Sequence, residues 1–334
     1  MSIFNNIKYD ENSGLATFSL KFPIEYAQES RVFFEIYEQE SMIIFVGKST
    51  KILKAKKDRI CRFCGKSMPE VKFKQDAHFI PEFLGNKEYF SDFECDSCNY
   101  KFGIHENEFA NFLGLSRTLS MSKVKKRIPT FKSPDKNLTV RENENGILNF
   151  EETKANLNIK KDMDSMIINS GRHPYCSISV FKSLVKIGLS LMPEDCIHDY
   201  SDTINYLFED NSKRYENSLI SMLEYFIPGP YNNFPIAFSF KKKQVITNKL
   251  IPSRTFVILF HNRMIQFFLP FMKTEDIFNQ PNIKAHVANL PPLIDQEWYN
   301  KYGKPQMNTF NLNILEKIKD NDEKITIKYF KKDK

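Results

Sequence analysis

The sequence predicts an α+β protein in three parts: a small N-terminal β-rich segment, a cysteine-bracketed core, and a C-terminal α+β domain. Three observations predict it. Residues 14–46 alternate apolar and polar positions in strand fashion. Two Cys-x-x-Cys pairs, Cys61/Cys64 and Cys95/Cys98, bracket a short unit. The remaining two hundred or so residues mix one strongly periodic helix with several short β-rich runs. At 334 residues the chain exceeds one average domain and has ample length to bury a core.

In the first part (residues 1–47), Ala16, Phe18, Leu20 and Phe22 share one face of a strand. The runs Arg31–Tyr37 and Ser41–Val46 predict two further strands, and so small a sheet must pack on a later part of the chain. A basic connector, Lys48–Ile60, leads into the cysteine unit over residues 58–115. That unit ends in a predicted helix from Ile104 to Leu113, with Phe109, Phe112 and Leu113 on its buried side. Residues 116–136 read as a basic linker punctuated by Pro129 and Pro134. The C-terminal domain (137–334) opens with a predicted β-meander (Asn137–Val140, Gly146–Phe150, Asn156–Ile159), turned by Asn143-Glu-Asn-Gly146. Val180, Leu184, Val185 and Leu191 predict a helix over 176–192 that Pro193 stops. A second helix is predicted over Arg214–Phe226. Strands follow at Ile236–Phe240, Arg254–Phe260, Met264–Leu269 and Lys324–Tyr329, with a tight turn at His261-Asn262.

Composition narrows the function. The hydrophobic share of 41% and charged share of 27% suit a globular protein, and no apolar run approaches the ~20 residues of a membrane helix. The start lacks a charged region followed by an apolar run, so a cytoplasmic protein is expected. The net charge of +7 is unevenly spread. Residues 47–74 carry ten basic residues against Asp58 and Glu70; residues 116–141 carry eight against Asp135. Lys54, Lys56, Lys57, Arg59 and Arg62 lie before the cysteine unit's centre, and Lys123, Lys125, Lys126 and Arg127 lie after it. Two basic blocks flanking one unit suit a polyanion, because lysine and arginine release counterions from phosphates; solvated linkers are the alternative.

In a reducing compartment, matched Cys-x-x-Cys pairs are metal chemistry rather than a disulfide framework. Each pair presents two sulfurs on a tight turn with the bite of tetrahedral Zn²⁺, so Cys61, Cys64, Cys95 and Cys98 predict a structural zinc site. The 30 residues between the pairs exceed a plain zinc ribbon, so an element must be inserted there.

Within that insertion the sequence runs His78-Phe-Ile-Pro81, then Leu84-Gly-Asn86, then Cys95-Asp-Ser-Cys-Asn99, Phe102-Gly103 and Glu106. Preceded by Cys61-Arg-Phe-Cys-Gly65, this ordered series resembles the HNH endonuclease family of ββα-metal nucleases, in the subgroup with Cys-x-x-Cys knuckles flanking the motif. The resemblance covers about a sixth of the chain. It implies a zinc-stapled ββα-metal core that hydrolyses phosphodiester bonds in DNA. By that resemblance His78 is the general base, a neutral imidazole near pKa ~6.5 being suited to the task. Asn99 orients its ring, and a catalytic Mg²⁺ or Mn²⁺ is held by oxygen ligands. Glu106 matches the helix-borne metal position, and His105 beside it is the alternative. Many family members carry a carboxylate directly before the histidine; Ala77 stands there, and Asp76 is one residue further back. One ββα site cuts one strand, so double-strand cleavage implies a homodimer or two encounters. Bacterial HNH proteins with such appended domains resemble restriction or anti-phage effectors. The alternatives are a catalytically inactive, zinc-dependent nucleic-acid-binding protein and a nuclease acting on RNA. His173, His198, His261 and His286 have no partner spacing, and no Gly-rich phosphate loop occurs.

Overall fold

A computed structural model describes residues 8–10, 15–17, 20–45, 53–124, 127–154, 158–209, 220–230, 232–275, 286–319 and 322–328. Helices and antiparallel strands are mixed throughout, as an α+β class requires.

Strands β1 (Lys8–Asp10) and β2 (Leu15–Thr17) form a small hairpin. The next expected strand, Arg31–Tyr37, is instead α1 (Ala27–Ile36). Its Val, Phe and Ile residues favour strands, but the helix buries Phe33 fully and sets its ring edge-on to Phe240 at 5.0 Å, so tertiary packing overrides propensity. β3 (Tyr37–Ile44) then leaves the N-terminal segment and joins the large C-terminal sheet at its edge. Phe18 and Val46 of the predicted runs lie outside the described residues.

In the cysteine unit, β4 (Ala77–His78) pairs antiparallel with β5 (Phe90–Ser91), and α2 (Asp96–Leu119) follows. The helix is far longer than the predicted 104–113, because Cys95 caps its start and the second knuckle forms its first turn. Phe109, Phe112 and Leu113 are buried, as the apolar spacing requires. Gly114, at φ +54°, breaks the helix axis near its end; a Cβ there would stand 2.9 Å from Arg172 Cγ and from Glu323 Oε2.

Past α2, β6 (Phe131–Lys132), β7 (Leu138–Glu142) and β8 (Leu148–Glu152) form one sheet. β9 (Ile159–Lys161) does not extend that meander; it pairs with β10 (Ser165–Gly171). β11 (Tyr175–Cys176) leads into α3 (Ser177–Leu191), the helix the periodicity predicts, which is buried almost all round. A short α4 (Ser201–Phe208) follows.

The second predicted helix, Arg214–Phe226, is corrected: Ser221–Phe226 is strand β12, and residues 214–219 lie outside the described set. Its Met222 packs on one face and Leu223 and Tyr225 on the other, with Glu224 buried against Arg263, a period of two that the short run concealed. β13 (Asn232–Lys242), β14 (Arg254–His261) and β15 (Arg263–Phe268) match the predicted strands, with His261 at φ +50° in the tight turn. After α5 (Gln296–Tyr302), β16 (Gln306–Asn311) completes a six-stranded antiparallel sheet in the order β16-β12-β15-β14-β13-β3. β17 (Lys317–Ile318) pairs with β11, and β18 (Asp322–Lys328) with β10.

Both faces of the large sheet are buried, which explains the unbroken apolar run of β14. Phe256, Ile258 and Phe260 face α3 and the cysteine unit; Val257 and Leu259 face α1 and the Leu290–Ile294 segment. One continuous apolar core thus runs from Cys61, Phe63 and Phe102 through Val180 and Leu184 to Ile258. No helix among the described residues is long and apolar enough to cross a membrane.

Candidate functional site

The two knuckles close on one another. The Cys61 N–H donates to the Lys66 carbonyl and the Gly65 N–H to the Cys61 carbonyl, a tight turn that needs Gly65 at φ +70°. The second knuckle is the helix start: the Asn99 N–H donates to the Cys95 carbonyl. All four sulfurs lie within 4.8 Å of one another. Cys61 and Cys98 Sγ are 3.7 Å apart, and Cys64 and Cys95 Sγ 3.8 Å. A regular tetrahedron with Zn–S near ~2.3 Å has edges of about 3.8 Å, so the donor set fits a zinc ion. The Cys61 thiol is drawn down to about 5, first by the Cys98 side chain and then by main-chain N–H groups of the knuckles.

His78 sits in the hairpin that the clamp presses against α2. Its imidazole lies 4.7 Å from the Phe90 ring, and its Nδ1 is buried without a hydrogen-bond partner. Burial holds its pKa below the ordinary histidine value; Lys186 adds to this, while Glu82 and Glu88 oppose it. The imidazole is therefore neutral at pH 7, the form that can accept a proton.

Asn86 holds the loop between the two strands. Fully buried, it donates to the carbonyls of Ile80 (2.9 Å) and Tyr89 (3.0 Å) and accepts from the Tyr89 N–H (3.1 Å). Asp96 does similar work ahead of β4, accepting from the N–H groups of Lys74 and Gln75. Asn99, expected on the His78 ring, instead donates to Gln75 Oε1 at 3.5 Å from the first turn of α2.

The expected metal carboxylates are committed elsewhere. Glu106 Oε1 lies 3.3 Å from the ammonium of Lys186, a residue of α3. That ammonium also donates to the His78 carbonyl at 2.8 Å and stands 3.3 Å from Glu94 Oε2, an ion-pair contact without hydrogen-bond geometry. Lys186 is 1% exposed and Glu94 0%. Burial alone would lower the Lys186 pKa, but the two carboxylates outweigh it and hold it above the ordinary lysine value. Burial pushes Glu94 up to about 7. Asp76 pairs with Arg59 at 3.1 Å. His105 lines a cleft of about 360 Å³ together with Lys101, Cys176, Lys182 and Phe208; burial lowers its pKa to about 4. These residues do not converge on a second cation beside His78.

Two of the residues expected to contact phosphate are committed to partners within the fold. Arg59 is buried, its Nε donating to the Lys54 carbonyl and its Nη1 to Asp76. Arg62 Nη1 donates to the carbonyls of Leu189 (2.7 Å) and Met192 (3.0 Å), and its guanidinium stacks 3.9 Å over Phe93. Lys54, Lys56, Lys57, Lys123 and Arg127 are exposed; Lys125 and Lys126 lie outside the described residues.

A β-hairpin carrying a histidine, laid on a helix by a four-thiolate knuckle pair, is the ββα arrangement. Residues 61–111 match the HNH endonuclease family model. No curated protein and no solved structure matches the chain. The HNH segment accounts for both knuckles, His78, Asn99 and Glu106, but not for Lys186, which no local motif announces. Its only trace in the sequence is a lysine within the apolar surround of α3. Asn86 stands in the quoted Leu-Gly-Asn pattern, yet only the fold reveals its role as a clasp.

Proposed function

We propose that the chain is an endonuclease that hydrolyses phosphodiester bonds in DNA, with His78 as general base. The observation that carries this reading is the half-buried, neutral His78 on the hairpin of an HNH segment whose four thiolates match a zinc tetrahedron. His78 takes a proton from a water at the accessible edge of its ring. The oxygen attacks phosphorus in line, the P–O3′ bond breaks, and the departing O3′ takes a proton from solvent, leaving a 5′-phosphate and a 3′-hydroxyl while His78 returns its proton to solvent. Asn86 keeps the loop beneath the base closed, and Asn99 with Gln75 ties the helix start to the approach of β4. The zinc, held by Cys61, Cys64, Cys95 and Cys98, supplies shape rather than chemistry. A divalent cation, Mg²⁺ or Mn²⁺, is carried by the family resemblance and not by carboxylates gathered at His78, so no step is routed through one. Lys54, Lys56, Lys57, Lys123 and Arg127 are the exposed cations left to track the backbone. The C-terminal domain selects or licenses the target, and a part in restriction or phage defence follows from the family analogy alone.

One observation favours a second reading, a zinc-dependent nucleic-acid binder without catalysis. Ala77 provides no carboxylate and Glu106 is engaged by Lys186. The deciding experiment incubates purified protein with supercoiled plasmid and with structured RNA under Mg²⁺, Mn²⁺ or chelator. Wild-type nicking that His78→Ala abolishes supports the nuclease; equal rates for the two proteins under every metal defeat it. Cleavage of RNA alone would move the substrate from DNA to RNA.

A further inference from the structure

We propose that Lys186 is a positioning residue of the nuclease site: from outside the HNH segment it fixes the His78 main chain, and its ammonium fills the place beside Glu106 that the family resemblance assigns to a divalent cation. This rests on the nuclease reading above.

The geometry is saturated. The ammonium donates to the His78 carbonyl at 2.8 Å and to Glu106 Oε1 at 3.3 Å, and Glu94 Oε2 stands 3.3 Å away as an ion-pair contact, so all three neighbouring oxygens are turned to the lysine. A divalent cation drawn to Glu94 and Glu106 would stand within a few ångströms of a permanent buried charge, where repulsion is weakly screened. The lysine and the cation exclude one another, and the fold has installed the lysine.

The same bond answers a weakness of the hairpin. β4 and β5 pair over only two residues, Ala77 with Ser91 and His78 with Phe90, too short a ladder to fix the angle of a catalytic side chain. Asn86 closes the loop end of the hairpin. Lys186 clamps the main chain of the base itself, from a helix that packs along α2. Its charge also disfavours protonation of His78 against the pull of Glu82 and Glu88, the other charged groups acting on that ring. One side chain thus fixes the main chain of the base and adds to the burial that keeps it neutral.

The test compares wild type with Lys186→Met, Lys186→Arg and Glu106→Gln, reading kcat and KM for plasmid nicking and the titration of the His78 Cε1–H resonance by NMR. The proposal expects Lys186→Met to lose about tenfold or more in kcat with little change in KM, since misplacement of a base acts on chemistry rather than on substrate binding. Its His78 midpoint should rise. Lys186→Arg, which keeps the charge but not the compact three-way head, should keep the midpoint near wild type and still lose kcat. Should Lys186→Met fail to fold, the arginine variant decides by the same split. Glu106→Gln should leave the Mg²⁺ or Mn²⁺ concentration dependence of cleavage unchanged. A Lys186→Met protein with wild-type kcat and midpoint overturns the proposal, as does a Glu106→Gln protein that needs about tenfold more metal, because Glu106 would then be a ligand. If wild type cuts no better than His78→Ala, the nuclease reading fails; the NMR midpoints of the folded variants still decide whether Lys186 governs His78.

Discussion

Arg62 Nη1 donates to the Leu189 carbonyl at 2.7 Å, so a residue lying between two knuckle cysteines satisfies the C-terminal end of the helix that carries Lys186. The last carbonyls of a helix lack partners within it, and α3 ends without a glycine, stopped by Pro193. The cation also meets the negative end of the helix dipole. Arg62→Ala should therefore destabilise the protein by about 1–3 kcal/mol, seen as a lowered denaturant midpoint. The salt dependence of DNA binding should not change. Lys57→Ala or Arg127→Ala should do the reverse, leaving stability intact and reducing the log–log salt slope by about one each if each meets a phosphate.

Zinc should be inseparable from the fold of this region. Cys61→Ser is expected to release about one metal per chain, because three donors bind far more weakly than four and the site's binding energy is folding energy. Metal analysis with circular dichroism would show both losses together; retention of a full zinc complement would show that the four thiolates do not act as one site.

The rate of cleavage should rise with pH and level off below the ordinary histidine value of ~6.5, since His78 is held below that value by burial and must be unprotonated to act. A pH–kcat/KM profile of the wild-type enzyme measures this directly. A limb centred above pH 7 would mean that the base is exposed or is another group.

Two other half-buried histidines make an acid-stability prediction. Burial lowers His105 and His261 to about 4. Between pH 6.5 and 4 the unfolded chain binds protons that the folded chain refuses, so stability is complete above about 6.5 and declines as the pH falls toward 4. Thermal melts across that window should show a falling midpoint, and His261→Asn should flatten the slope.

Gly114→Ala tests the break in α2. The residue is left-handed, and its new methyl would meet Arg172 and Glu323 at 2.9 Å, so a loss of about 1–3 kcal/mol is expected in a denaturant titration.

The HNH segment was legible because its chemistry is local. Cysteine pairs on tight turns, a histidine before Ile-Pro and an asparagine after the last cysteine all occur within 46 residues, and each needs its residue type at a fixed spacing. Helix α3 and strands β13–β15 were legible from period. Three kinds of feature were not. α1 and β12 are short runs whose residue preferences point one way while the sheet they join requires the other. Arg59 and Arg62 look like the lysines around them, and only the burial of the one and the carbonyl partners of the other distinguish structural cations from surface ones. Lys186 meets His78 across more than a hundred residues of chain, where no local pattern reaches.

The Lys186 contact also orders events in time. A ribosome delivers His78 and both knuckles long before it delivers α3, so a growing chain that has emerged only through the basic stretch at 116–136 carries the base and the clamp but not the ammonium behind them. On the nuclease reading, cutting competence would belong to the finished molecule, and the cell making it would be spared a working blade on every unfinished copy. For the engineer the same fact is a restriction: the HNH segment is not a cassette to be moved to another scaffold unless the new scaffold brings its own buried cation to the back of the hairpin.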